Sequence, residues 1–154
     1  MNWPSDIYSI ILALVFGAMV GLEREIHGKA AGLRTNILIC VGAAIFTLVS
    51  KQMAGVNDSS TRIAAQVVTG VGFLGAGAII QDRGGIHGLT TAASIWLVAS
   101  IGLACGAKLY YLALVGTVLT LGVLLGLSPI TRVIYQKREK HKHIQSFRDT
   151  DTTQ

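Results

Sequence analysis

The sequence predicts an all-α integral membrane fold, a bundle of five transmembrane helices with its N-terminus outside and its C-terminus in the cytoplasm. Three observations predict it. Hydrophobic residues make up 51% of the 154 positions and charged residues 14%, and the mean hydropathy of +0.57 exceeds what a water-facing surface tolerates. The apolar residues gather into five runs, each near the ~20 residues a helix needs to cross ~30 Å of hydrocarbon. The basic residues fall mostly in alternate connections between those runs.

The first span, Ser5–Leu22, differs from a cleaved signal peptide. Trp3, Pro4 and Asp6 stand where a basic segment would, and Glu23-Arg24-Glu25 follows in place of a small-residue cleavage site. The second, Thr35–Ser50, is short and borrows Leu33 and Arg34. The third is Ile63–Gln81; the fourth and fifth, Thr90–Ala107 and Leu109–Leu127, form a hairpin turning at Gly106–Lys108. Residues 1–127 thus make a membrane domain. The basic tail 128–154 is expected to open as an interfacial helix, with Ile130, Val133 and Ile134 on one side, and to become disordered past Phe147.

With the N-terminus outside, Arg24, Lys29, Arg34, Arg83, Arg132, Lys137, Arg138, Lys140, Lys142 and Arg148 are cytoplasmic, and only Lys51, Arg62 and Lys108 are external. That asymmetry obeys the positive-inside rule, and Trp3, Tyr8, Tyr110 and Tyr111 fall near the outer interface.

Lipid tails are as apolar as leucine, so spans associate where small residues let backbones approach. Gly17 with Gly21, Gly102 with Gly106, and Gly122 with Gly126 are spaced i, i+4 for that purpose. The third span carries Gly70, Gly72, Gly75 and Gly77, which marks it as the crowded centre of the bundle; a substrate path lined by bare backbone is the other reading. Cys40 and Cys105 lie inside spans and read as small packing residues rather than a disulfide framework or a metal site. Gly70-Val71-Gly72-Phe73-Leu74-Gly75 matches a dinucleotide-binding string, but that string needs a strand before it and a soluble βαβ unit around it. Gly28-Lys29 is followed by Ala30, so it is not a P-loop. No cofactor, metal centre or nucleic-acid partner is expected.

Polar chemistry gathers at the cytoplasmic edge. The first and third connections share an acid–Arg pair, Glu23-Arg24 and Asp82-Arg83, followed by Gly-Leu-x-Thr, from Gly32 to Thr35 and from Gly88 to Thr91. This reads as a parallel repeat of helical hairpins, spans 1–2 and 3–4, with chance as the alternative. Thr35 and Thr90 are expected as N-caps. Glu23, Arg24, Glu25, Arg34, Thr35, Asn36, Asp82, Arg83, Thr90 and Thr91 form a candidate vestibule for an ion or a partner protein. The alternative is that these charges only set topology and pair with one another. His27, His87, His141 and His143 read as solvated side chains, and Gln66 as a hydrogen-bonding group between helices. No acidic residue stands at the centre of a span, which counts against an autonomous cation pump.

Gly21-Leu22-Glu23-Arg24-Glu25, Ala31-Gly32-Leu33-Arg34-Thr35, Gly70 to Gly77 and Gly88-Leu89-Thr90-Thr91-Ala92-Ala93 occur in the order seen in the MgtC/SapB family of bacterial inner-membrane proteins. The chain resembles that family over residues 7–127. The resemblance implies a multi-pass protein of the bacterial inner membrane, a five-helix domain linked to growth in low magnesium and to virulence. It also implies contact with a membrane complex such as the F-type ATP synthase, and homo-oligomers are a further option. Longer members carry a folded cytosolic domain after the last span, where this sequence has a basic tail. The expected function is therefore a non-enzymatic homeostasis or regulatory protein, with a cation channel or transporter second and a lipid-directed enzyme last.

Overall fold

The computed structural model describes residues 3–53, 62–82 and 85–127. The tail, Arg83, His141 and His143 lie outside them. The described chain runs α1 (Trp3–Ile26), α2 (Leu33–Met53), α3 (Arg62–Gly77), β1 (Ile80–Asp82), β2 (Gly85–His87), α4 (Leu89–Gly106) and α5 (Tyr110–Gly126). This is an all-α membrane protein. Among the described residues α1, α2 and α4 are long and apolar enough to cross a membrane, while α3 and α5 are shorter apolar helices. The chain divides into two units, one reaching Thr120 and one opening at Leu121. In the second, residues 121–127 carry α5 to its end.

Within the first unit α2 lies against α1 on one side and α4 on the other, and α3 packs chiefly on α4. The contacts rest on missing side chains. A Cβ on Gly17 would stand 2.8 Å from the Cys40 Cβ, and one on Gly21 2.9 Å from the Leu33 Cα. On the other side of α2, a Cβ on Gly102 would overlap the Cys40 carbonyl, and one on Gly106 would come within 2.7 Å of the Thr47 Cβ. Cys40 is wholly buried where the three helices meet. Buried hydroxyls inside the helices bond back to their own turns, as Thr47 does to Ala43 O (2.7 Å) and Thr117 to Ala113 O (2.8 Å), which satisfies those donors within their own helix.

The third span differs from expectation in two respects. It ends at Gly77, because Ile80–Asp82 and Gly85–His87 form a short antiparallel hairpin with Ile80 opposite His87 and Gln81 opposite Ile86. Gly88 then turns the chain into α4 at φ 87°, and any Cβ there would overlap the Ala78 carbonyl, so only glycine fits. Nor is α3 the crowded centre. Its buried residue Val71 joins Ala43, Ile95 and Ala99 in a core cluster, and Gly75 makes ordinary contact with Ala92. Gly70, Gly72 and Gly77, and likewise Gly122 and Gly126, have open space where a Cβ would stand. The close approaches belong to Gly17, Gly21, Gly102 and Gly106.

The hairpin between α4 and α5 turns on Lys108, the one described non-glycine residue at positive φ, 66°. Its amide donates to Cys105 O (2.9 Å) and that of Leu109 to Ala104 O (2.8 Å), the paired bonds of a Schellman motif in which glycine is usual. Lysine is there because its Nζ reaches α1, 3.0 Å from Asp6 Oδ1 and 2.7 Å from Ser5 Oγ.

Substitution separates the two kinds of glycine. Gly102→Leu drives a side chain into the α2 backbone, an overpacking cost of about 1–3 kcal/mol or more, and is expected to abolish accumulation of the protein in membranes. Gly72→Leu, pointing into open space, is expected to leave abundance near that of the unmodified chain. Immunoblotting of membrane fractions checks both.

Candidate functional site

α1 does not stop at the apolar run but continues one turn further, to Ile26, carrying Glu23 and Arg24 inside the helix. Arg24 lies seven residues beyond Gly17 and three beyond Gly21, on the face those glycines draw towards its neighbours. It is consequently 3% exposed, and Glu23 8%. Nη2 of Arg24 donates to Thr91 Oγ1 on α4 (3.1 Å), a bond between side chains 67 positions apart. Nη1 stands 3.9 Å from Glu23 Oε2, a loose ion pair between neighbours in sequence.

Glu23 has a second partner. His27 Nδ1 lies 3.1 Å from Glu23 Oε1 and 2.8 Å from the Glu23 carbonyl oxygen. Both are acceptors, so the imidazole proton sits on Nδ1. His27 is an exposed turn residue just beyond α1, as the sequence predicts, and its i, i+4 spacing from Glu23 adds the contact.

The chain leaves α1 through Gly28 at φ 61°, with Gly28 N–H bonded to Glu25 O (3.0 Å) and Lys29 N–H to Arg24 O (3.0 Å). This compact turn sets Glu25 against the start of α2, where its Oε2 accepts from the Leu33 N–H (2.9 Å). Glu25 therefore serves as a cap supplied from the preceding helix. A Cβ on Gly32 would overlap that carboxylate. The side-chain caps expected at Thr35 and Thr90 are not made. Thr35 is the third residue of α2 and Thr90 the second of α4, both are exposed, and the N-cap of α4 is Gly88 without a side-chain bond. Gly32 and Gly88 hold matching places, each accepting at its carbonyl from the amide four residues on, Asn36 (3.1 Å) and Ala92 (2.9 Å). The threonines that follow them differ, Thr35 being exposed and Thr91 buried.

Asn36, fully buried, donates Nδ2 to the carbonyls of Ala31 and Gly32, both at 2.8 Å. That double donation fixes the amide orientation and leaves Oδ1 facing elsewhere. Three atoms in this part of the molecule are buried without a hydrogen-bond partner among the described residues: Glu23 Oε2, Arg24 Nε and Asn36 Oδ1. Of the expected vestibule, then, Glu23, Arg24, Asn36 and Thr91 are inside, Glu25 is a cap, and Arg34, Thr35 and Thr90 face outward. Asp82 belongs to β1. Among the described residues no group of three or more His, Cys, Asp or Glu side chains is placed to hold a metal ion.

Apolar helices closed by glycine contacts around an internal acid–guanidinium pair define a helical membrane protein with a polar cluster near one end of its first helix. The chain belongs to the MgtC family, whose profile matches residues 10–133. It is 44% identical over 146 residues to YhiD of Escherichia coli K12, named a candidate magnesium transporter, covering 90% of this chain and 66% of that protein. It is 44% identical over 122 residues to MgtC of Brucella abortus strain 2308 (79% of this chain, 51% of the relative). Against MgtC of Salmonella typhimurium the identity is 45% over 115 residues (75% and 49%). The chain thus spans about half to two thirds of the length of these relatives. No solved structure matches it.

The bond between Arg24 and Thr91 is open to a direct test. Thr91→Val keeps the shape and removes the acceptor, stranding a buried guanidinium N–H at a cost of about 1–3 kcal/mol. A lower melting temperature in detergent is expected for Thr91→Val, and a near-normal one for Thr91→Ser.

Proposed function

We propose that the protein is a multi-pass component of the bacterial inner membrane that supports magnesium homeostasis without enzymatic chemistry, acting on membrane partners through its cytoplasmic polar end. The observation that carries this reading is the placement of Glu23 and Arg24: a charge pair buried near one end of α1 and tied to α4 through Thr91. A guanidinium beside the carboxylate opposes a dication there, and a carrier ordinarily places its ionisable groups mid-span. The pair instead couples the α1–α2 turn to α4, so that a partner touching the exposed Lys29 or Arg34 meets a surface whose shape the buried pair sets. A membrane energy-converting complex such as the F-type ATP synthase is the kind of partner the family resemblance suggests.

A cation pathway is the second reading, favoured by Glu23 Oε2, which accepts no hydrogen bond among the described residues, and by the name of the Escherichia coli relative. Purified protein in liposomes is expected to carry no substantial Mg²⁺ flux, whereas Glu23→Gln is expected to abolish growth support in low magnesium at normal membrane abundance. Saturable flux lost in Glu23→Gln would establish the pathway instead. Normal growth of Glu23→Gln would confine the pair to packing.

The orientation behind this reading follows the basic residues, ten of thirteen of which fall on the proposed cytoplasmic side. In a cysteine-free background, Ser59→Cys is expected to react with an impermeant thiol reagent in intact cells and Ser146→Cys only after lysis. Labelling of Ser146→Cys from outside would reverse the topology.

A further inference from the structure

The end of α1 remote from Glu23 carries a second polar group with an apolar groove beside it. α1 and α2 are in backbone contact at Gly17 and Gly21, and beyond that crossing they part. Between the start of α1 and the end of α2 lies a cavity of about 450 Å³, lined by Trp3, Asp6, Ile7, Ile10, Leu48 and Val49 among others. Apart from Asp6 and Gln52 the residues named as its lining are apolar, a wall that an acyl chain matches.

The mouth has a defined charge pattern. Among the described residues Asp6 is the one charged residue lining the slot. Its Oδ1 is 3.0 Å from Lys108 Nζ, which also donates to Ser5 Oγ at 2.7 Å. An ionised carboxylate accepts at both oxygens, and an ammonium has three N–H groups. Asp6 Oδ2 makes no hydrogen bond within the described structure, and one N–H of Lys108 remains beyond the two used. An acceptor for a cation thus stands next to a donor for an anion, with a tryptophan at the rim, where indole settles at the headgroup level. That pattern complements a zwitterion whose positive end carries N–H groups.

We propose that this slot holds one molecule of a phospholipid with a primary-amine headgroup, of the phosphatidylethanolamine class. The acyl chain lies along Ile7, Ile10, Leu48 and Val49, the headgroup ammonium donates to Asp6 Oδ2, and the phosphate accepts from Lys108 Nζ. Phosphatidylglycerol has no cation to offer Asp6. Phosphatidylcholine has a cation but no N–H to donate. The site lies outside the Glu23–Arg24 cluster and is independent of the function proposed above.

The test is lipid retention by the full chain, purified in detergent, exchanged against mixtures of the three phospholipids and read by mass spectrometry of the intact protein–lipid complexes. Phosphatidylethanolamine is expected to be retained about tenfold over either competitor, the worth of one charge-assisted hydrogen bond of ~1.4 kcal/mol. Asp6→Asn is expected to erase that preference. Val49→Trp, which fills the slot and leaves Asp6 and Lys108 in place, is expected to lose the bound lipid whatever its headgroup. Equal retention of the three lipids by the unmodified chain would overturn the proposal, as would undiminished retention by Val49→Trp. Because the comparison of lipids uses the unmodified chain, it stands even if Asp6→Asn fails to accumulate.

Discussion

Nothing in a bilayer pushes apolar helices together, so the arrangement of α1, α2 and α4 depends on how closely their backbones can approach. Cys40 marks that dependence most sharply. Gly17 of α1 abuts its side chain, Gly102 of α4 abuts its carbonyl, and it is shut off from all solvent. Two pairs of glycines spaced i, i+4 therefore act on opposite sides of one helix, with Gly21 against Leu33 and Gly106 against Ala44 and Thr47 continuing the contact in either direction. Dispersion among closely packed atoms, individually about 0.1–0.2 kcal/mol, supplies the attraction that water supplies elsewhere.

That approach makes the charged cluster possible. Arg24 follows Gly17 and Gly21 on the same face of α1, so drawing the helices together also closes them over its guanidinium. A buried ion pair is weak evidence for stability, since desolvation offsets the attraction, yet loss of one partner is costly. Arg24 meets that condition with a hydroxyl from α4 as well as a neighbouring carboxylate, and Glu23 with the imidazole of His27. Even so, Glu23 Oε2, Arg24 Nε and Asn36 Oδ1 have no hydrogen bond among the described residues. Packing alone would have been served as well by leucine and methionine at these places.

Much of this was legible in the residues and some was not. Helix positions follow from long apolar runs, and the close contacts at Gly17, Gly21, Gly102 and Gly106 from their spacing. The same spacing misleads at Gly122 and Gly126, because a small-residue pair records what a helix face permits and not whether a neighbour is present. The strand Ile80–Asp82 is three residues long and adjoins Ile79, so its start cannot be told from the end of an apolar helix, and Gly85–His87 is too short to signal a strand alone. Thr35 and Thr90 resemble N-caps locally, but Glu25 reaches across the α1–α2 turn to take that role at α2, a relation visible only once Gly28 has folded the chain back. For the candidate site, the acid–Arg pair and Thr91 were within reach of pattern. Which members of the pattern point inward was not, because that depends on the register of α1 against α4.

Polar ties hold α1 towards both of its ends. Near one end Arg24 reaches Thr91 on α4; near the other, Lys108, just after α4, reaches Asp6 and Ser5, and Ser9 meets Tyr110 at the start of α5 (2.9 Å). The glycine contacts lie between them. Lys108 shows what the outer tie is worth to the fold. A left-handed conformation costs a side-chain-bearing residue roughly 1–2 kcal/mol, and glycine would have made the same Schellman turn without that cost. Only a long cationic side chain, however, turns the chain and spans to α1 at once. Both ends of α1 are thus tied to α4 and the turn after it, one through Arg24 and Thr91, the other through Lys108. Glycine contacts with α2 lie between the two ties, so α1 is held by backbone approach in its middle and by side-chain bonds towards its ends.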